Sequence, residues 1–164
     1  MYVPTAFHGE TVRMRPVLPD ITYYDWQIRL LTYLKHKNTE VLYKPHPEGR
    51  SSPPVNFSQF FGYPTIRAPF ESLNEEVDAY LIDFIASTTN ATIMRTEKPI
   101  IFVDPGNPII RSEALELLKR RCYYIPTWME HNRRMEVDWT AFDEILNKKE
   151  HCFSMDFAGY YANS

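Results

Sequence analysis

The sequence predicts an α/β domain, a mostly parallel sheet with helices on both faces. Three observations carry that expectation. Short apolar runs rich in β-branched and aromatic residues alternate with segments of helical period along most of the chain. Two of the runs, "AYLIDFIA" and "PIIFVDP", are apolar almost throughout, as strands covered on both faces must be. With 164 residues, 44% hydrophobic and 24% charged, the chain has material for one domain with a real core.

"MYVPT" reads as a first strand, and "AFHGETVRMRPVLPD", without a clean period, as a loop. From Thr22 to His36 the pattern turns helical: Tyr24, Ile28, Leu31 and Leu34 recur at spacings of three and four. Asp20 or Thr22 is the expected cap, and Lys35, His36 and Lys37 suit the helix's negative end. "TEVLYK" is a short strand. "SSPPVNFSQFFGYP" is a proline-rich loop with room for one helical turn, and "TIRAP" a further strand. "ESLNEEVD" is expected as a short helix capped by Ser72. After the strand "AYLIDFIA", three hydroxyl residues open the helix "STTNATIMRTEK". The strand "PIIFVDP", the helix "RSEALELLKRRC" with Ala114, Leu117 and Leu118 on one face, and the strand "YYIPTW" follow. "EHNRRMEVD" is expected as a charged loop, and "DWTAFDEILNKKEH" as a helix carrying Trp139, Phe142, Ile145 and Leu146; the tail gives no clear signal. Right-handed crossovers between such parallel strands give a Rossmann-like sheet, with residues 1–164 as a single domain.

Bulk properties exclude several functions. A net charge of −3 gives no general attraction for nucleic acid. Cys122 and Cys152 share no CxxC spacing, so neither a zinc site nor a disulfide framework is expected, and reduced thiols point to the cytoplasm. No apolar run approaches the roughly 20 residues that span a bilayer. No DxD and no cluster of ligating residues at metal spacing appears, so no metal and no cofactor are expected.

Two motifs stand where an open α/β sheet binds ligands, at the carboxyl ends of strands. In "YKPHPEGR" each proline fixes its own φ and biases the residue before it towards extended geometry, so Lys44 and His46 are aimed by the backbone. An imidazole there donates to a phosphate or exchanges a proton; the alternative is a stiff turn whose histidine bonds to backbone. In "DFIASTTNAT" a strand runs into Ser87, Thr88 and Thr89 and then a helix, whose unpaired N–H groups and dipole favour an anion. The alternative is plain N-capping. Neither GxGxxG nor GxxxxGK[ST] occurs. Glu48, within the first motif, and Asp104 in "VDPGNP" are further candidates, the latter also explained by a tight turn.

"VLYKPHPEGR" followed by "VDAYLIDFIASTTNATIMRTEKPIIFVD" resembles the C-terminal, donor-binding half of GT-B-fold transferases that build bacterial surface polymers. These include capsule polysaccharide transferases, CDP-glycerol glycerophosphotransferases and bacterial polysialyltransferases. The resemblance covers roughly residues 1–128. It implies a site for a CMP/CDP- or UDP-linked donor, with His46 assisting the leaving phosphate. Ser87, Thr88 and Thr89 would bind that phosphate, and Lys44 would add charge nearby. It further implies an acceptor-binding N-terminal domain as partner, and peripheral association of the full enzyme with the inner face of the membrane. "NATIMR" lacks the glutamate that holds the ribose in many such enzymes. Two alternatives accompany this expectation: a non-catalytic nucleotide- or sugar-binding module of the same fold, and half of a UDP-sugar 2-epimerase.

Overall fold

The computed structural model describes residues 1–7, 18–46, 56–73, 77–85, 87–106, 110–131, 133–148, 151 and 153–162. Glu48, Ala86 and Cys152 lie outside them. The sheet contains β1 (Tyr2–Val3), β2 (Tyr80–Ile82), β3 (Ile100–Asp104), β4 (Tyr123–Met129) and β5 (Met135–Val137), in that spatial order. β1 to β4 are mutually parallel, and β5 closes the edge antiparallel to β4. Beyond β1 the sheet continues through two single parallel bridges, Tyr2 to Tyr43 and Tyr43 to Thr65. The Lys44 N–H donates to the Tyr2 carbonyl and the Tyr43 N–H to that of Pro64, both at 2.9 Å. Counted with these two segments, the parallel strands stand in the order 3-2-1-4-5-6 of a doubly wound, Rossmann-type sheet. The fold class is the expected one.

The helices follow local chemistry. α1 (Asp20–His36) buries Trp26, Leu30, Leu31 and Leu34, while Tyr24 and Ile28 of the expected stripe are half-buried. Pro19, neither Asp20 nor Thr22, holds the N-cap position; Asp20 instead sits in the first turn, where its charge meets the positive end of the dipole. α2 (Phe57–Phe61) is the single turn allowed for in the proline-rich loop. Asn56 caps it by accepting from the Gln59 N–H at 3.2 Å, and Gly62 ends it at φ 77°, a conformation that glycine adopts without strain. The helix expected over residues 71–78 is a 3-10 turn, Phe70–Ser72, in its described part. Ser72 does not cap it: its hydroxyl donates to the Pro69 carbonyl at 2.8 Å.

α3 (Thr88–Met94) and α4 (Ser112–Arg121) fall as expected. The charged stretch before residue 138 is not a loop throughout. Met135 and Val137 are buried and form β5 through a hairpin in which Arg133 takes φ 63°. Pro126 lies in β4 before the pairing with β5 begins at Thr127, so its missing N–H breaks no bond of that ladder. Asp138 caps α5 (Trp139–Leu146), accepting from Thr140 N and Ala141 N at 2.9 and 3.1 Å. α6 (Asp156–Ala162) completes the tail.

Successive strand residues feed two separate cores. Tyr2, Leu81, Ile101, Val103 and Ile125 pack under α1, α2 and α5. Val3, Ile82, Ile100 and Phe102 pack under α3, α4 and α6. In the second core Arg121 is fully buried. Its Nε donates to the Met94 carbonyl at 2.9 Å and Nη2 to those of Thr96 and Lys98, so a cation answers the carbonyl-rich end of α3.

Cys122, next to Arg121, is buried, and burial pushes its thiol up to about 12. With Cys152 replaced by alanine, the native protein should react with a disulfide reagent at pH 8 roughly a thousandfold slower than a free thiol. Addition of urea should restore the rate in step with unfolding. Rapid labelling of the folded protein would contradict the burial.

Candidate functional site

Two adjacent strands send their helices to opposite faces of this sheet. β1 leads to α1 on one side, and β2 leads to α3 on the other. The connections diverge there, and a crevice opens at the carboxyl ends of β1 and β2. Its floor is built around Asp83, the first residue after β2, which is fully buried. The Tyr2 hydroxyl donates to Asp83 Oδ2 at 2.6 Å, the Trp26 indole N–H to the same oxygen at 3.3 Å, and the Thr5 N–H to Oδ1 at 3.1 Å. The Tyr23 hydroxyl accepts from the same Thr5 N–H at 2.9 Å. Phe7 then sets its ring edge-on against those of Tyr23 and Tyr24. The loop leaving β1 is thereby fixed to β2 and to the first turns of α1.

The electrostatics follow from burial. It raises the Asp83 pKa above the ordinary carboxyl value, while hydrogen bonds from Tyr2, Tyr23, Thr5 and Trp26 pull it back down. Burial, followed by the Asp83 charge, pushes the phenols of Tyr2 and Tyr23 well up, so both remain neutral donors. The same causes raise Tyr43, whose hydroxyl donates to Gln27 Oε1 at 3.1 Å.

The sequence-predicted residues sit around this floor. Lys44 and His46 end the segment beside β1. Lys44 is 4% exposed, so its side chain is covered rather than presented on the rim, and His46 is half-buried. Ser87, half-buried, caps α3 by accepting from the Asn90 N–H at 3.1 Å; Thr88 is exposed and Thr89 half-buried. Three neighbouring segments of one sheet bring both motifs to the same rim. The strand leading to His46 stands two inter-strand spacings, roughly 10 Å, from β2. Asp104 closes the expected turn instead: Oδ1 accepts from Gly106 N at 3.0 Å and Oδ2 from the Tyr124 hydroxyl, with Gly106 at φ 86°.

The site contains residues that the motifs did not single out. Asn90 is buried in the first turn of α3; its amide donates to the Phe84 carbonyl, and its Oδ1 has no hydrogen-bond partner among the described residues. Asp83, Tyr2, Tyr23 and Trp26 form the floor. The available signal was an acid directly ending an apolar strand, where no turn requires it. Among the described residues, no group of three His, Cys, Asp or Glu side chains is placed to hold a metal. No helix among them is long and apolar enough to cross a membrane. No protein-family model, curated protein or solved structure matches the chain significantly.

Asp83→Leu should lower stability by about 3 kcal/mol or more, because it strands buried donors that cost about 1–3 kcal/mol each when unpaired. A carboxyl with a raised folded pKa binds its proton more tightly folded than unfolded. Its contribution is fully present below the ordinary carboxyl pKa and is lost as pH rises through the folded value. Urea titrations should therefore show the widest gap between wild type and variant near pH 4, about the reference carboxyl pKa, and a narrower one at higher pH. A gap that widens with pH would reverse the assignment.

Proposed function

We propose that this chain is the donor-nucleotide-binding half of a GT-B-type transferase of surface-polysaccharide synthesis. The donor would be a sugar or glycerophosphate linked to CMP, CDP or UDP. One observation carries the reading: the segment ending in Lys-Pro-His and the Ser-Thr-Thr helix start share one carboxyl rim, flanking the strand beside the switch point. Ligands of open α/β sheets bind at that place.

In this reading the donor phosphates lie over the crevice. The N–H groups of Thr88 and Thr89 have no acceptor within α3 and point towards its start, where the helix dipole favours negative charge. The Thr88 hydroxyl is exposed on the same turn. The Ser87 hydroxyl accepts from Asn90, and its own proton remains for a phosphate oxygen. His46, which its sequence position before a proline biases towards extended geometry, donates from the opposite side. As the bond to the leaving phosphate breaks, these donors offset the charge that develops on it. The acceptor and its base belong to a second domain, which closes the crevice from above.

Calorimetry with CMP, CDP and UDP tests the reading. A cytidine nucleotide should bind the wild type, and His46→Ala should weaken it about tenfold or more, a loss of about 1.4 kcal/mol. Equal affinity in both proteins, or no binding in either at millimolar nucleotide, would sink the proposal.

The helix start gives a separate test. Ser87→Ala combined with Thr88→Ala should weaken CDP several-fold and leave cytidine unchanged, because the nucleoside carries no phosphate. Parallel losses for both ligands would place the nucleotide elsewhere.

A further inference from the structure

We propose that a second ligand site lies at the opposite edge of the sheet, and that it takes a monomeric amphiphile, an apolar chain or ring with one anionic head. A cleft of about 990 Å³ opens there, between the C-terminal ends of α1 and α5 and the amino ends of the strands. The cleft is open to solvent, and its volume lies at the upper end of the range of small-molecule sites. Half-buried Leu42, Tyr63, Val77, Ile145 and Leu146 line it beside polar Asn38 and Thr39, so an apolar body gains by covering them.

One end of the trough is built for a head group. The Tyr123 hydroxyl and His151 Nδ1 are 2.6 Å apart, and the His151 ring lies nearly parallel to Phe153, at 11°. With the phenol donating, the imidazole carries its proton on Nε2, a donor at the exposed edge of the ring. Lys148 Nζ stands 4.9 Å from the centroid of the Tyr123 ring, so an ammonium is held over the same phenol. Lys148 and His151 are exposed and both line the cleft. Of the carboxylates that line it, Glu40 stands on the segment leading to the strand at Tyr43, four strands from β4, and Asp78 on the segment leading to β2, two strands from β4. A trough with apolar walls and donors at one end selects an amphiphilic anion over a free phosphate, which leaves the trough empty, and over a neutral alcohol, which leaves the Lys148 ammonium unanswered.

Amide NMR with dodecanoate below its micelle concentration tests this. Dodecanoate should shift Leu34, Tyr123 and Leu146 and saturate at one molecule per chain, while His46 and Ser87 stay fixed. Inorganic phosphate at the same concentration should move none of them. Lys148→Glu with His151→Ala, two exposed positions, should weaken dodecanoate about tenfold and leave dodecanol unaffected. Absence of shifts, shifts confined to the rim around His46, or equal dodecanoate affinity in the double variant would overturn the proposal. CDP titrated into the same samples reports on the other rim, so the two readings stand or fall separately.

Discussion

The fold turns on the carboxylate of Asp83. Burying a charge is costly unless donors replace its water, and here the donors come from three elements: Tyr2 in β1, Thr5 in the loop after it, and Trp26 in α1. β1 and β2 share two register pairs, Tyr2 with Leu81 and Val3 with Ile82. No crossover helix joins them directly, because the order in which strands are added reverses at this point. The node supplies the cross-tie that a βαβ unit would otherwise give. It also opens the crevice, since the loops it fixes are those that diverge there. Tyr2 and Asp83 are 81 residues apart, so the tie closes a long loop and joins segments that local contacts alone would not bring together.

A second tie holds α1 over this floor. Trp26 stacks on Trp139 at 26°, and the Tyr33 ring lies 4.5 Å from Trp139 while its hydroxyl donates to Asp143, so α5 rides on α1. Arg29 donates to Asp25, Glu136 and the Met135 carbonyl, which ties the β4–β5 hairpin to the same helix. Arg29 and Glu136 are largely covered, 15% and 16% exposed, and each keeps a second partner, Asp25 for Arg29 and Arg134 for Glu136. The chain leaving β4 therefore returns to the α1 face and closes the first core before crossing to the second. α1 is gripped at both levels, by Asp83 near its start and by α5 further along.

What could be read from the sequence divides along the same line. Apolar runs and helical periods are local, so most strands, α1, α4, α5 and the doubly wound class were legible. β5 was not, because three residues among charges show their alternation only against a partner strand. Ser72 looked like a cap because Ser and Thr favour that position, but Pro69 opens the turn instead. The site split likewise. Strand ends carrying Lys-Pro-His-Pro and Ser-Thr-Thr could be placed on one rim from the order of elements alone. The covering of Lys44, the closing of a turn by Asp104 and the Asp83 node depend on contacts between distant segments, and no spacing encodes those.

Parallel strands give the two edges of the sheet opposite characters. Each connecting helix runs back against its strands, so helix starts gather at the carboxyl rim and helix ends at the amino rim. At the carboxyl rim the positive potential comes from peptide groups, as at the start of α3, and an anion there needs few cationic side chains. At the amino rim the peptide ends are negative and basic side chains collect to answer them: Lys35 and His36 on α1, Lys119 to Arg121 on α4, and Lys148 just beyond α5. Lys148 is thus supplied by helix electrostatics before any ligand is considered. What distinguishes it is its neighbourhood, a tyrosine–histidine pair beside an apolar cleft, where a cation already required by the helix can also meet an anion. The two rims would then hold negative charge by different means, backbone dipoles at one and mobile side chains at the other, so added salt should loosen ligands at the amino rim more than at the carboxyl rim.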